Sequence, residues 1–150
     1  MSIGNRLFFR KTANQTVAAS TVLVDCTGLT VPFTANQIGH IRIVVPFTLG
    51  SSGGYKFQIV TPAAPAQFGN FFVVTDGVTA SPGAIIAGYQ SSSAAFNNAL
   101  AVAGTHKLEC EFDFINGTTA GDVVLQFACN SAANSIIALA GAYMDVIKLN

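Results

Sequence analysis

Residues 107–115 alternate strictly between polar and apolar side chains, and this run restricts the possible folds more tightly than any other feature of the chain. Lys107, Glu109, Glu111 and Asp113 fall on one side; Leu108, Cys110, Phe112 and Phe114 fall on the other. Successive side chains of a β-strand leave on opposite faces, so a period of two sustained over this length marks a half-buried strand. Turn-forming residues follow between Asn116 and Gly121. The next segment, 122–129, sets Val123, Leu125, Phe127 and Cys129 on one face. The pattern predicts a hairpin in which Ile115 opposes Asp122. Phe114 then meets Val123, Phe112 meets Leu125, Cys110 meets Phe127 and Leu108 meets Cys129. A slip of one residue would turn one apolar set to solvent.

The same logic places further strands at 21–25, 40–47, 55–61, 71–75 and 142–149, with weaker signals at 84–89 and 100–102. Ile41, Ile43, Val45 and Phe47 point inward on one of them, and Tyr55, Phe57 and Ile59 on another. Residues 71–75 form a short continuous apolar run, expected to be covered on both sides. Residues 50–54 read as a loop, and 130–134 as a loop or a bulge. Pro62, Pro65 and Pro82 mark long connections. Residues 91–103 are rich in alanine but show no clean helical face, and no repeat of 20–50 residues is present. The predicted class is all-β: an antiparallel, jelly-roll-like β-sandwich of about eight strands. One sandwich domain is expected over 16–150, preceded by an N-terminal arm or edge segment over 1–15.

Composition narrows the function. Charged residues make up 9% of the chain, 7 of each sign, against about 25% in an ordinary soluble domain. Apolar residues are 51%, and the 14 glycines raise that to roughly 60%. A domain of this size buries about 68–70% of its unfolded surface. So few charges leave apolar patches of the kind that mark protein–protein contact. Zero net charge supplies no field for nucleic acid or an anionic membrane. Arg6, Arg10, Lys11 and Arg42 make the first third positive; Glu109, Glu111, Asp113 and Asp122 make the last third acidic. That asymmetry suits either oriented subunits or two solvated strand faces.

The first residues do not read as a secretory signal, because the apolar patch at 7–9 is short and charges follow at once. The apolar stretch at 136–144 is too short to cross a bilayer as a helix. The chain is therefore expected to stay in the cytoplasm until it assembles. Cys26, Cys110 and Cys129 have no paired spacing, and all three are expected to be free, buried thiols. Asn14 and Asn116 open glycosylation-type triplets that are chance matches without secretion.

Catalytic patterns are missing. His40 and His106 are the two imidazoles, and both read as strand-end or turn residues. Glu109, Glu111 and Asp113 could offer oxygens to a hard cation, but a strand spreads such a row about 6.5–7 Å apart, which suits a solvated face better. Residues 91–93 lack a nucleophile elbow. The glycine-rich 51–54 lacks the Lys and Ser/Thr of a phosphate loop. There is no Trp and no interleaving of aromatic with basic residues, so no nucleic-acid surface is expected. No enzyme activity, metal or cofactor is expected.

Several segments, taken in order, resemble small β-sandwich modules of tailed-bacteriophage virions. Thr21, Val22, Leu23 and Asp25, then Gly28, Leu29, Pro32 and Ala35, precede Ile41, Arg42 and Ile43. Tyr55, Lys56 and Phe57 follow with Pro62, then a small-residue middle over 79–95. Leu125, Gln126, Phe127 and Ala128 come with Asn130, and Gly141, Tyr143, Asp145 and Val146 close the chain. Such modules serve as capsid decoration proteins and as tail-fibre tips, often as trimers. The resemblance implies a virion structural protein made in the host cytoplasm. It partners the major capsid protein and further copies of itself, and neither nucleic acid nor membrane. The chain starts almost directly with the module, so a free-standing decoration or cement protein is expected; a receptor-binding tail protein using loops 49–54 and 91–98 is the alternative. Within 1–15, Arg6, Leu7, Phe8, Phe9, Arg10 and Lys11 form either an edge strand or an arm that contacts the capsid.

Phe112 lies on the inward side of the alternating strand. Phe112→Ala is expected to cost about 3–5 kcal/mol in chemical denaturation; an unchanged midpoint would show that this face is not buried.

Overall fold

Five segments along the chain carry an unbroken inward set of large apolar side chains, and each such face must be covered by another. The computed structural model meets that need with two antiparallel sheets packed face to face. It describes residues 5–51, 53–63, 65–76, 85–90, 95–98 and 103–149. The strands are β1 Asn5–Arg10, β2 Gln15–Ala18, β3 Val24–Phe33, β4 Ile38–Leu49, β5 Tyr55–Val60, β6 Gln67–Phe68, β7 Asn70–Asp76, β8 Ile85–Gln90, β9 Phe96–Asn98, β10 Gly104–Ile115, β11 Gly121–Cys129, β12 Ser135–Ala138 and β13 Tyr143–Leu149. No helix occurs among the described residues.

The large sheet runs β1-β13-β4-β10-β7-β8, with β12 and β2 continuing it beside β4 and β6 beside β10. The small sheet runs β3-β11-β5-β9. From β2 onward most connections carry the chain from one sheet to the other, the shuttling expected of a jelly-roll-like sandwich. Ile41, Ile43, Val45, Phe47 and Leu49 of β4 face Val123, Leu125 and Phe127 of β11 and Tyr55, Phe57 and Ile59 of β5 in one core, each almost wholly out of water. Phe47 is its aromatic hub, with Tyr55 and Phe57 edge-on at 5.3 and 5.2 Å and the His106 ring stacked at 5.3 Å.

Segments 107–115 and 122–129 are strands with the expected inward residues, and Phe112 is buried, but they do not form a hairpin. β10 pairs with β4 along its whole length, from Gly104↔Leu49 to Ile115↔Ile38, and on its other side with β7. β11 pairs with β3 and β5 in the opposite sheet. The reason lies in the connection. Asn116, wholly buried, donates its Nδ2 to the carbonyls of Thr34 and Thr119 at 2.8 and 2.9 Å. Its Oδ1 accepts from Gly117 N. The backbones add Asn116 N to Gln37 O and Asn36 N to Gly117 O. The loop after β10 is thereby laid along the loop between β3 and β4, and the two corners cross between the sheets side by side. Two wholly apolar faces are covered by facing each other, which pairing within one sheet would not achieve.

A second buried asparagine does the same at the far end. Asn134 Oδ1 accepts from Ser51 N and Ser135 N at 3.0 and 2.7 Å, and its Nδ2 donates to Gly54 O. This joins the β4–β5 loop to the β11–β12 loop.

Strand 21–25 extends through Phe33, because β3 is an edge strand that tolerates Pro32. It also carries a bulge: Val124 pairs with Thr30 while Gln126 pairs with Asp25, and Gly28 takes φ +86°. Pro46 sits in a central strand where β4's neighbour changes from β13 to β12, its carbonyl accepting from Leu139 N. The expected strand at 100–102 lies outside the described residues. The three cysteines are free and buried. Burial pushes the Cys26 thiol up to about 11 against the charge of Lys11, and pushes Cys110 up as well, with Glu111's charge adding to it.

Asn116→Ala strips partners from buried carbonyls at a sheet-to-sheet corner. It is expected to lower stability by about 1–3 kcal/mol, read as a shift of the urea midpoint. A wild-type midpoint would show that the corner is set by other contacts.

Candidate functional site

The outer face of the large sheet gathers side chains that folding leaves uncovered. Antiparallel pairing carries one face across β1, β13, β4 and β10 in rows. Arg6, Ile147, His40 and Asp113 form one; Phe8, Asp145, Arg42 and Glu111 the next; Arg10, Tyr143, Val44 and Glu109 a third. Leu149, Ile38 and Ile115 lie one row beyond the first. With Lys107, these rows hold eight charged groups, four of each sign, out of the chain's 7 cationic and 7 anionic residues. The exposed large hydrophobics Phe8, Ile38, Ile147 and Leu149 lie on the same face, with Phe8 at 60% exposure. By contrast, the charged side chains of the small sheet's outer side are Asp25, Lys56 and Asp122 among the described residues, and residues 20–21 lie beside the end of β11, Ser20 O accepting from Cys129 N and Thr21 O from Lys56 Nζ.

Sign alternates strand by strand. β1 presents Arg6 and Arg10, β13 Asp145, β4 Arg42 with His40, and β10 Glu109, Glu111 and Asp113, with Lys107 as the one cation of that column. Arg6 grips Asp145 with two bonds, Nε to Oδ1 at 2.9 Å and Nη2 to Oδ2 at 2.6 Å. His40 lies between Asp113 and Glu111, with Nδ1 at 2.8 Å and Nε2 at 3.2 Å from their carboxylates. Arg42 and Lys107 approach Glu109 at 3.5 and 3.3 Å. Phe8 stacks on Tyr143 with centroids 5.3 Å apart. A hollow of about 230 Å³ opens between Arg42, Val73, Glu109 and Glu111. Apart from the bidentate Arg6–Asp145 pair, exposed ion pairs of this kind add little to folding, so most of the array is not explained by the stability of the fold.

The acidic row Glu109, Glu111 and Asp113 is met by cationic groups from β4 and by Lys107. No group of His, Cys, Asp or Glu among the described residues is arranged to hold a metal ion. His40 stands within β4 on this face, not at a strand end. His106 is inward and buried, against Phe47. No helix among the described residues is long and apolar enough to cross a membrane.

Segment 5–11 lies along its own sheet. β1 is an edge strand on β13. Arg6, Phe8 and Arg10 point outward, while Leu7 and Phe9 pack against the core. Lys11 is 3% exposed, its ammonium donating to Gln15 Oε1 at 2.9 Å and Thr27 O at 3.2 Å. The sequence singled out β1 and the acidic row separately. It gave no sign that β13 and β4 lie between them, and Asp145, Tyr143, Ile147 and Ile38 were not singled out as surface residues. The alternation of Tyr143, Asp145 and Ile147 is the signal that was there to read.

Comparison with known proteins adds little to this geometry. No family model matches the chain, and no curated protein matches it. Among solved structures, a chain from "Structure of infectious bursal disease virus Gx strain" aligns at 11% identity with a TM-score of 0.23, over 98% of this chain and 41% of that one.

The Arg6 hydrogen bonds, then the charges of Arg6, Arg42 and His40, hold the Asp145 carboxyl below its ordinary value of 3.8, against the opposing effect of burial. A depressed carboxyl stabilises the fold above the unfolded value, and that contribution is lost as pH falls through the folded one. NMR titration is expected to place Asp145 below 3.8, and Arg6→Gln to move it upward. An Asp145 that titrates identically in both proteins would show that the pair does not form in solution.

Proposed function

We propose that the chain is a structural protein of a bacteriophage virion, a decoration protein that binds the outer shell of the capsid and stabilises it. The observation that carries this reading is the outer face of the large sheet. It is a net-neutral, ordered array of charges with exposed Phe8, Ile38, Ile147 and Leu149 among them, a surface suited to contact with protein. The ordered resemblance of the sequence to virion sandwich modules supports the choice of particle. The partners are the major capsid protein and further copies of the chain. The reading gives the protein no catalytic role and no cofactor, and its location is the virion, after synthesis in the host cytoplasm. A protein that binds the assembled shell and not its free subunits shifts the equilibrium toward the shell by mass action.

Particles lacking the protein are expected to lose their DNA at lower temperature than complete particles, and added protein should restore them. Particles that keep their heat resistance but no longer adsorb to cells would replace this reading with a receptor-binding role at the tail.

A further inference from the structure

We propose that the outer face of the large sheet is an isologous dimer interface, occupied by the same face of a second copy. The inference rests on reading this face as an assembly surface and names its occupant.

The alternating columns favour the symmetry that pairs all four of them. A two-fold axis parallel to the strands and midway between β13 and β4 lays β1 over the partner's β10 and β13 over the partner's β4, with every row kept at its own height. Arg6 then meets the partner's Asp113, Arg10 meets the partner's Glu109, and Asp145 meets the partner's Arg42. Near the axis Leu149 meets the partner's Ile38 and Tyr143 meets the partner's Val44. Every such contact occurs twice, as isologous symmetry requires. No like charges face each other. The intrachain pairs become networks, with Asp145 held by Arg6 on one side and by the partner's Arg42 on the other. Sheets stacked this way sit about 10 Å apart with strands aligned to within about 30°, which favours the pairs near the axis.

Two other two-folds fail on the same residues. An axis across the strands through the middle row sets each column against itself: Arg6 meets the partner's Arg10, and Glu111 meets the partner's Glu111. An axis along β13 lays Asp145 on the partner's Asp145. Juxtaposed like charges in an interface cost several kcal/mol. The two-fold also departs from the trimer suggested by the sequence resemblance. A ring of three needs two different complementary patches, whereas this face complements itself.

The test is a charge exchange in the purified full chain, read by sedimentation at concentrations up to about 100 µM. Wild type is expected to sediment as a dimer. Arg10→Glu alone sets Glu against the partner's Glu109, and Glu109→Lys alone sets Lys against the partner's Arg10. Each should dimerise more than about tenfold more weakly. An equimolar mixture restores opposite charges at both contacts, so it should sediment as a heterodimer. Arg6→Glu mixed with Asp113→Lys is a second such pair, two rows from the first, for use if either variant of the first is unfolded by circular dichroism. Lys56→Glu, on the small sheet, should leave the dimer intact. A monomeric or trimeric wild type, folded single variants that still dimerise, or a mixture that stays monomeric would each overturn the proposal. No shell is present in this experiment, so its failure leaves the particle-stability result to stand or fall separately.

Discussion

The structure depends on the burial of one face of β4. Ile41, Ile43, Val45, Phe47 and Leu49 leave water almost completely, and an alternating strand of that length can bury one face only if a second sheet lies over it. β10 flanks it along its full length on one side; β13 and then β12 share the other. Pro46 is tolerated in so central a place because it stands where those two neighbours exchange. β11 and β5 supply the cover from the opposite sheet. Gly39 marks the tight end of the same packing: a Cβ there would sit 2.6 Å from the Phe33 ring, which lies edge-on to Phe114.

A sandwich whose chain keeps crossing between sheets must tie its corners without the ladder bonds of a strand. Two buried asparagines do this, Asn116 at one end and Asn134 at the other. Each uses donor and acceptor atoms of one side-chain amide to bind loops far apart in sequence. Buried amides are tolerable because their hydrogen bonds are made. Lys148 closes an open end differently, its ammonium donating to Pro32 O and resting 4.9 Å from the Phe33 ring. Burial lowers its pKa.

The uneven placement of charge connects this fold to assembly. A chain with so few charged residues would be expected to scatter them to keep every face solvated. Here most are drawn onto one face of one sheet, in columns of alternating sign, with exposed apolar side chains in the same rows. Because pairs at such exposure contribute little to folding, their order is better understood through what the face meets than through what it holds together.

Much of this was written in the sequence. Alternation is local, so the inward residues of β4, β5, β10, β11 and β13 could be read directly, and with them the all-β class and the burial of Phe112. The short strands β1, β2 and β12 and the extension of β3 through Pro32 carry too few apolar positions or too many breakers to be recognised alone. Which strand lies beside which was beyond local reading. The apolar faces of β10 and β11 are equally well matched as hairpin neighbours or as opposite walls of a core. The choice was made by hydrogen bonds from Asn116 to residues some 80 positions away. The candidate face is the same case. The sequence by itself determined that Glu109, Glu111 and Asp113 share a side of one strand, and left Arg6, Phe8 and Arg10 in a segment that could be an edge strand or an arm. Only the tertiary structure inserted β13 and β4 between them and so turned two separate charge runs into one alternating surface, because lateral strand order is set by long-range pairing and by the covering of both inner faces, neither of which has a local signature.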